Sequence, residues 1–336
     1  MSRGNPPLLS ALLVTAALLL GGCGAGSGGA ALTVYNGQHE QTTAKLVAAF
    51  ERQTGIKVAV RSGDEATLGN QIVQEGSNSP ADVFYTENTP VLEALREKGL
   101  LAPVTTSTLA AVPSRYSSPD GLWVGVSARV SALVYNTSAL SSSALPGSIL
   151  ELALPRWKGK LGIAPSETDF QPLLTAVIKQ DGVAAAERWL AGLEANGRVY
   201  PDNETLVNQV DNGESSLAPI NSYYWYRLRA EKKSVSSALH YFDPGDPGDL
   251  IDISGAAVLR SSTHSSAAQR FLAFLVSRTG QELIAHSQSY EYPLRAGIAP
   301  AGGQPPLATL KPAALTPAQL GDGSAALALE QKLGLL

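Results

Sequence analysis

The chain has 336 residues and a formal net charge of −4, from 25 basic and 29 acidic side chains. A mildly acidic chain without a run of basic residues is a poor match for nucleic acid, which needs concentrated positive charge. A single cysteine excludes a disulfide framework and a thiolate metal cluster.

The first segment is typical of a secretion signal rather than of a folded element. Arg3 is its one charged residue, and the apolar run over 8–20 is too short to serve comfortably as a membrane span. The run ends in Leu20-Gly21-Gly22-Cys23, which resembles a bacterial lipobox. The resemblance implies a signal peptide over 1–22, a lipid on the sulfur of Cys23 and a flexible tether over 23–30. The alternative is an ordinary cleaved signal in which the cysteine is incidental.

The chain beyond the tether begins as a series of alternating strands and helices. Gly55 follows the first helix where a glycine favours a helix stop, and Pro90 stands at the start of the third. A series of this kind predicts a sheet with parallel strands and helices on both faces. Apolar patterns predict the strands at 32–35, 56–60 and 82–85 and the helices at 42–52, 68–74 and 90–98.

A second series of the same kind follows and indicates a second lobe. Its strands are predicted at 161–164, 197–200 and 216–220, and its helices at 170–179, 204–211 and 223–232. Strand-like stretches at 122–126, 130–135 and 250–259 are candidate crossings between the lobes. Terminal helices near 267–276, 280–286 and 325–333 would cover the lobes.

Three of the predicted strands are followed by side chains that can bind a metal. His39 follows the first strand, Glu87 follows the third, and Tyr223 and Tyr224 follow the strand at 216–220. Ligands of open parallel sheets bind beyond the carboxyl ends of the strands. A cleft that gathers these ends would therefore hold one nitrogen and three oxygen ligands.

The pair of tyrosines indicates the kind of metal. A phenol has a pKa near 10, so it is a good ligand only when a strongly charged, hard cation such as Fe(III) displaces its proton. Two phenolates and Glu87 supply three negative charges, which balance a trivalent ion. Each residue also has an ordinary interpretation: His39 as a packing or helix-start residue, Glu87 as an acid near a helix start, and the tyrosines as an aromatic packing run. Residue types and spacing alone leave these interpretations open.

Five short motifs favour the metal site. In this order, across nearly the whole mature chain, they resemble the bacterial periplasmic ferric-iron-binding proteins. The resemblance implies that His39, Glu87, Tyr223 and Tyr224 bind Fe(III), and that a carbonate or phosphate ion or water completes the coordination. The motifs are Tyr35-Asn36-Gly37-Gln38-His39, Ala81-Asp82-Val83-Phe84-Tyr85-Thr86-Glu87, Trp157-Lys158-Gly159-Lys160, Tyr223-Tyr224-Trp225-Tyr226 and Glu291-Tyr292-Pro293-Leu294-Arg295.

The same resemblance implies an α/β fold, the two-lobed type II periplasmic binding protein, with a central ligand cleft and two crossover hinge strands. We expect lobe 1 to comprise 31–128 with 254–304, and lobe 2 to comprise 129–253 with 305–336. Arg129 lies in the crossing between them. A role as a cation beside the metal and a role at the surface or hinge are equally compatible with the sequence.

An anion site is expected next to the metal ligands. Asn203 and Asn221 resemble anion contacts of the family, and Asn88 stands where relatives often have glutamine. Their side-chain amides can donate to an oxyanion. The backbone amide of Thr168, just before a predicted helix, would add a further donor.

Two acids set this anion site apart from the family pattern. Many relatives have a small Ser/Gly/Ala segment at 166–169 that cradles phosphate, whereas this chain has Glu167 and Asp169 there. Negative charge in that place argues against phosphate. Asp169 either caps its own helix or, with Glu167, partly replaces the anion or selects the smaller carbonate.

The resemblance implies a function in iron transport. We expect an extracytoplasmic lipoprotein, monomeric and held to the cell membrane by its lipid, that binds iron or an iron chelate and delivers it to an ABC permease. The alternative is a related ABC solute receptor that binds an organic cation or oxyanion in the same cleft. No enzyme is expected, because the chain has no Gly-x-Ser-x-Gly elbow with a matching His/Asp set and no His-Glu-x-x-His zinc helix.

Overall fold

The computed structural model describes residues 32–335. The expected signal peptide, the tether and the lipidation site Cys23 lie outside the described residues, so they stay predictions. Within 32–335, no helix combines the length and the apolar character that crossing a membrane requires.

Strands and helices alternate through most of this range. The strands are β1 (Leu32–Gly37), β2 (Val58–Ser62), β3 (Val83–Thr86), β4 (Leu101–Ala102), β5 (Val124–Asn136), β6 (Leu161–Ile163), β7 (Gly197–Val199), β8 (Leu217–Asn221), β9 (Ser237–His240), β10 (Ile251–Leu259) and β11 (Tyr292–Pro293). The α-helices are α1 (Glu40–Thr54), α2 (Glu65–Glu75), α3 (Thr89–Glu97), α4 (Thr106–Leu109), α5 (Phe170–Asp181), α6 (Val183–Asn196), α7 (Asn203–Asp211), α8 (Ser222–Glu231), α9 (Ser265–Leu275), α10 (Arg278–Ala285), α11 (Pro317–Leu320) and α12 (Ser324–Lys332). Short 3-10 helices lie at Gly76–Asn78, Ser114–Tyr116, Ser142–Ala144, Ile149–Ala153, Pro155–Trp157, Pro247–Asp249 and Leu307–Thr309.

The strands form two sheets that share one long strand. The first sheet has the order β2-β1-β3-β10-β5, and the second continues from β5 through β8 and β6 to β7. β1 runs parallel to β2 and β3, and β6 runs parallel to β7 and β8. β5 and β10 run antiparallel to their neighbours. The α/β class and the two-lobed arrangement predicted from the sequence are confirmed.

The strand β5 joins the two halves. Its residues 124–130 pair with β10 in the first sheet, and its residues 131–135 pair with β8 in the second. The sequence patterns predict two separate stretches at 122–126 and 130–135, and this is wrong, because β5 is one strand of 13 residues. The polar residues that interrupt its apolar pattern are buried and bonded: Ser127 donates to Glu291, and Arg129 contacts three carboxylates.

Each half has its own hydrophobic core. The first core includes Phe50, Trp123 and Phe271, and the second includes Trp157 and Trp189. Separate cores are the packing that two lobes require. The residue ranges assigned to each lobe from the sequence stay predictions.

The helix α6 was not predicted from the sequence. It follows α5 after Gly182, whose φ of 87° lies in the region that glycine adopts without strain. One glycine thus separates two apolar segments that pack on each other, with Trp189 stacked beside Phe170 at a ring-centroid distance of 5.9 Å. The strands β9 and β11 were also missed, because they are only four and two residues long and exist by pairing with β5.

Candidate metal centre

The imidazole of His39 is positioned by the turn between β1 and α1. His39 is the residue just before α1, and its backbone carbonyl accepts the first helical bond, from Thr43 N at 3.0 Å. Its own backbone N–H donates to Oε1 of Gln38 at 2.7 Å. The two bonds fix the backbone on both sides of the side chain, so that the ring extends from the end of a parallel strand, as the sequence predicts.

Glu87 and the two tyrosines also stand where strands give way to helices. Glu87 lies between β3 and α3, and Tyr223 and Tyr224 lie in the first turn of α8, directly after β8. Both phenols are buried, with 2% and 8% of their surface exposed. β3 belongs to the first sheet and β8 to the second. The carboxylate of Glu87 and the two phenols therefore come from different halves.

The structure brings the four predicted iron ligands together. Nε2 of His39 lies 3.4 Å from Oε1 of Glu87. The imidazole stands edge-on to the ring of Tyr223, with centroids 5.5 Å apart, and Tyr223 stacks on Tyr224 at 4.0 Å. A nitrogen, a carboxylate and two phenols therefore converge in one place, which is the donor set that a hard trivalent cation prefers.

The charge states of Glu87, Tyr223 and Tyr224 depend on their surroundings. Burial raises the pKa of Tyr223 and of Tyr224 well above the ordinary value, and the negative charge of Asp169 raises both further. Burial acts in the same direction on Glu87, but the positive charge of Arg129 and the neighbouring His39 outweigh it and hold the pKa of Glu87 below its ordinary value. Glu87 is therefore an anion at neutral pH, while both phenols keep their protons unless a cation displaces them.

Glu291 is a further acid at the site, and the sequence did not predict it as a ligand. Its Oε1 lies 3.6 Å from Nε2 of His39, and ligand atoms of His39, Glu87 and Glu291 all lie within 4.8 Å of one another. Gln38 and Ser127 donate to its carboxylate. The motif at 291–295 contributes to the family resemblance, but its acid follows no predicted strand, so its position in the sequence does not indicate a ligand.

Arg129 lies at the centre of a buried ion cluster rather than at the surface. Its Nη1 is 2.7 Å from Oε1 of Glu87 and 2.8 Å from Oδ1 of Asp169, and its Nη2 is 2.8 Å from Oδ2 of Asp252. Nη2 also donates to the side-chain oxygen of Asn88 at 2.5 Å. With its side chain fully buried, this arginine contacts Glu87 from the first half, Asp169 from the second half and Asp252 in β10.

Asp169 does not cap its helix, so that interpretation from the sequence is wrong. It stands before α5, but its side chain makes no capping hydrogen bond and turns instead to Arg129. Its neighbour Glu167 is half-buried, and burial together with the charge of Asp169 raises the pKa of Glu167 to about 7.

The residues predicted for the anion site fall into three places. Asn88 is held between Arg129 and Glu65, to whose carboxylate its Nδ2 donates at 2.6 Å. Thr168 lines an open cleft of about 400 Å³ together with His39 and Glu87. Asp169, Asn203 and Asn221 surround a cavity of about 10 Å³. The anion contacts themselves stay predictions.

Comparisons with known proteins place the chain among solute-binding proteins. The family described as bacterial extracellular solute-binding protein matches residues 78–311. The Fe(3+)-binding periplasmic protein of Serratia marcescens is 38% identical over 303 residues, covering 90% of this chain and 89% of the relative. The major ferric iron-binding protein of Neisseria meningitidis is 38% identical over 310 residues, covering 90% of this chain and 93% of the relative.

Solved structures of iron-bound proteins are also similar to this chain. The crystal structure of iron-bound HitA from Pseudomonas aeruginosa matches with a TM-score of 0.87 and 46% identity, covering 90% of this chain and 99% of that chain. The Trichodesmium protein IdiA (FutA), solved in complex with iron and citrate, matches with a TM-score of 0.80 and 30% identity, at 90% and 99% coverage. Because each match covers 90% of this chain, both similarities include residues of the two halves.

Proposed function

The chain belongs to the bacterial extracellular solute-binding family, among its ferric-iron-binding members, and we propose that it captures Fe(III) outside the cytoplasm for an ABC-type import permease. The observation that supports this most directly is the convergence of a buried, stacked tyrosine pair from one half with His39 and Glu87 from the other. A relative named as an Fe(3+)-binding periplasmic protein and another named as an iron uptake protein give independent support.

The four side chains have separate roles in the proposed site. Tyr223 and Tyr224 would bind as phenolates, because only a strongly charged cation displaces protons from phenols whose pKa burial has raised. Glu87 would bind as the carboxylate that Arg129 already keeps ionised. His39 would supply a neutral nitrogen, so that the three anionic oxygens balance the charge of the ion. An oxyanion or water would occupy the coordination positions that remain.

A receptor for an organic ligand that stacks on the tyrosines is less compatible with this geometry. Tyr224 covers one face of Tyr223 at 4.0 Å, and the imidazole of His39 stands against the same ring. Stacking needs a free aromatic face, and these contacts leave little of the Tyr223 ring available to such a ligand. The acids around the tyrosines also disfavour an organic oxyanion, since Glu87, Asp169 and Glu291 surround the pair and His39.

The place of action follows from the N-terminal sequence and from the relatives. We propose that Cys23 carries the lipid that holds the protein at the outer face of the membrane, where it works as a monomer and as a binding protein rather than as an enzyme. A single acyl chain gives only marginal binding, whereas two or more chains give stable anchoring. The periplasmic relatives are consistent with action outside the cytoplasm.

The test is a metal analysis and a visible spectrum of the protein purified without chelators and titrated with Fe(III). We expect one tightly bound iron per chain and a phenolate-to-iron charge-transfer band that develops with the titration. A colourless protein whose iron passes freely to a weak chelator would refute the proposed function. Tight binding of an organic solute by the same preparation would then favour the alternative receptor.

A further inference from the structure

Glu65 is a buried acid that lies against the turn carrying the ligand Glu87. It is the first residue of α2, and only 5% of it is exposed. Asp64 already caps this helix, since its side chain accepts from Thr67 N at 2.7 Å, so Glu65 is not needed as a cap. A buried carboxylate needs hydrogen-bond partners, because burying it without them is costly. Glu65 has its partners in residues 86–88, between β3 and α3.

The carboxylate of Glu65 accepts four hydrogen bonds from this turn. Oε2 accepts from the backbone N–H groups of Glu87 at 3.1 Å and Asn88 at 2.8 Å. The hydroxyl of Thr86 also donates to Oε2, and Nδ2 of Asn88 donates to Oε1 at 2.6 Å. One side chain thus holds the two peptide groups on either side of the Glu87 α-carbon.

The same carboxylate orients the amide of Asn88 toward Arg129. Because Nδ2 of Asn88 donates to Glu65, its Oδ1 is free to accept from Nη2 of Arg129, at 2.5 Å. Nη2 also donates to the backbone carbonyl of Glu87 at 2.6 Å, and Nη1 contacts Oε1 of Glu87 at 2.7 Å. Glu65 therefore also helps to place the guanidinium that holds the Glu87 carboxylate.

A glycine allows Glu65 to come this close to the strand ends. Gly37 is the last residue of β1 and pairs with Thr86 of β3. A Cβ on Gly37 would lie 2.6 Å from Cβ of Glu65 and 2.9 Å from its Cα, which is too close for carbon atoms. Gly37 is not among the glycines with a positive φ, so this close approach is what requires a glycine here.

We propose that Glu65 is a positioning residue that holds the carboxylate of Glu87 where Fe(III) binds, before the ion arrives. This inference rests on the proposed function and adds a residue that acts on the same site through Glu87. Both oxygens of Glu65 are engaged by the turn, so the side chain is not itself a ligand. Residues that orient metal ligands typically contribute about 10- to 100-fold to metal affinity.

The experiment is an Fe(III) titration against citrate, with thermal unfolding of each iron-free variant. Glu65→Ala removes all four hydrogen bonds, and we expect it to lower iron affinity by about 10- to 100-fold. Glu65→Gln keeps one oxygen for the two backbone N–H groups, but its amide nitrogen would face Nδ2 of Asn88. We expect this variant to lose less, about 3- to 10-fold, because the turn stays bonded. It keeps the test valid if Glu65→Ala folds poorly.

A double-mutant cycle separates positioning from general destabilisation. In a Glu87→Ala background the ligand is absent, so adding Glu65→Ala should change iron affinity by less than about threefold. A merely structural role of Glu65 would lower affinity by the same factor in both backgrounds. Equal factors, or wild-type affinity in both Glu65 variants, would overturn the inference.

The charge-transfer band gives a second readout, at saturating iron. If the Glu87 carboxylate is displaced, the ion has one anionic oxygen fewer and draws more electron density from the phenolates. The band of Glu65→Ala should therefore move to longer wavelength, and a lowered affinity with an unmoved band would count against positioning.

Asp82→Asn is the matched control. Asp82 is a buried acid just before β3, at the end of that strand away from Glu87, and it accepts from Thr33 N at 2.8 Å and from Oγ of Ser262 at 2.6 Å. This variant should lower the unfolding temperature and leave iron affinity within about threefold of the wild type. A loss of iron affinity in Asp82→Asn as large as in Glu65→Ala would assign the effect to the strand as a whole and overturn the inference.

The two proposals fail in different ways. A wild type that binds iron tightly, with Glu65 variants that bind it equally well, overturns the role of Glu65 and leaves the proposed function intact. A wild type that binds no iron overturns the proposed function itself.

Discussion

Replacement of one ligand tyrosine by phenylalanine is the most direct perturbation of the proposed site. In Tyr223→Phe the ring remains, with its contacts to Tyr224 and His39, and only the oxygen is removed. The cost to folding should therefore be about 1 kcal/mol, the typical value for one hydrogen-bonding group. A loss of iron affinity larger than this folding cost would therefore come from the missing negative charge of the phenolate.

The magnitude of that effect follows from the burial of the phenol. With Tyr223 2% exposed, bulk water cannot readily replace the missing oxygen, and the ion loses one of three balancing charges. Breaking one partner of a buried charge pair costs about 3–5 kcal/mol. This corresponds to a loss of affinity of roughly two to four orders of magnitude. Tyr224→Phe should lose a similar amount or somewhat less, because 8% of Tyr224 is exposed and solvent can supply a substitute ligand.

The assay is a competition titration with citrate, followed through the charge-transfer band, together with thermal unfolding of each variant. Tyr226→Phe is the matched control, because Tyr226 lies on the same helix, is 5% exposed and packs against Trp225 and Tyr290 rather than against the site. It should keep wild-type iron affinity. Unchanged affinity in both Tyr223→Phe and Tyr224→Phe would refute the ligand assignment.

Three further perturbations test the charges of the site and the anchor. Iron binding near neutral pH should release about two protons per ion, because the pKa of Tyr223 and of Tyr224 is raised and both phenols hold protons until iron displaces them. Affinity should consequently fall as the pH falls, and the absence of proton release, measured with an indicator dye, would contradict the phenolate assignment. Arg129→Met should lower the free energy of unfolding by about 3–5 kcal/mol, because it leaves Glu87, Asp169 and Asp252 buried without their cation. In chemical denaturation the control Arg52→Met, at an exposed helix end, should change stability by less than about 0.5 kcal/mol, and equal effects would argue against the ion cluster. Cys23→Ser should release the protein from the membrane fraction or leave an unprocessed precursor, and unchanged fractionation and processing would show that the lipobox interpretation is wrong.

The parts of the site that follow strands were accessible to sequence reasoning. His39, Glu87 and the tyrosine pair each come directly after a strand whose apolar pattern is clear, and parallel strands bring their carboxyl ends to one side. The resemblance to ferric-binding proteins then indicated which strand ends share one cleft. Gly55 was likewise recognisable as a helix stop, and it has the expected left-handed conformation with φ of 73°.

The parts that depend on long-range burial were not accessible. Arg129 interrupts an apolar strand and therefore looked like a boundary, whereas the structure buries it because carboxylates from three other segments neutralise it. Glu291 reaches His39 only because the two-residue strand β11 pairs with β5, far away in sequence. The Asp169 side chain would favour a helix cap in isolation, but the charge of Arg129 outweighs that local preference. In each case the deciding partner is distant in sequence, so no local pattern encodes it.

Under the proposed function, the division of ligands between the halves makes iron capture and closure of the cleft a single equilibrium. The first half offers one carboxylate and one nitrogen, the second offers two phenols, and neither set alone balances a trivalent ion. Iron therefore favours the closed form in proportion to its preference for the complete site. Arg129 adds a contribution that does not depend on iron, because it contacts Glu87 from one half and Asp169 from the other. Transfer to a permease must consequently break the iron ligation and this ion pair together, so separating the halves is the step that releases the metal.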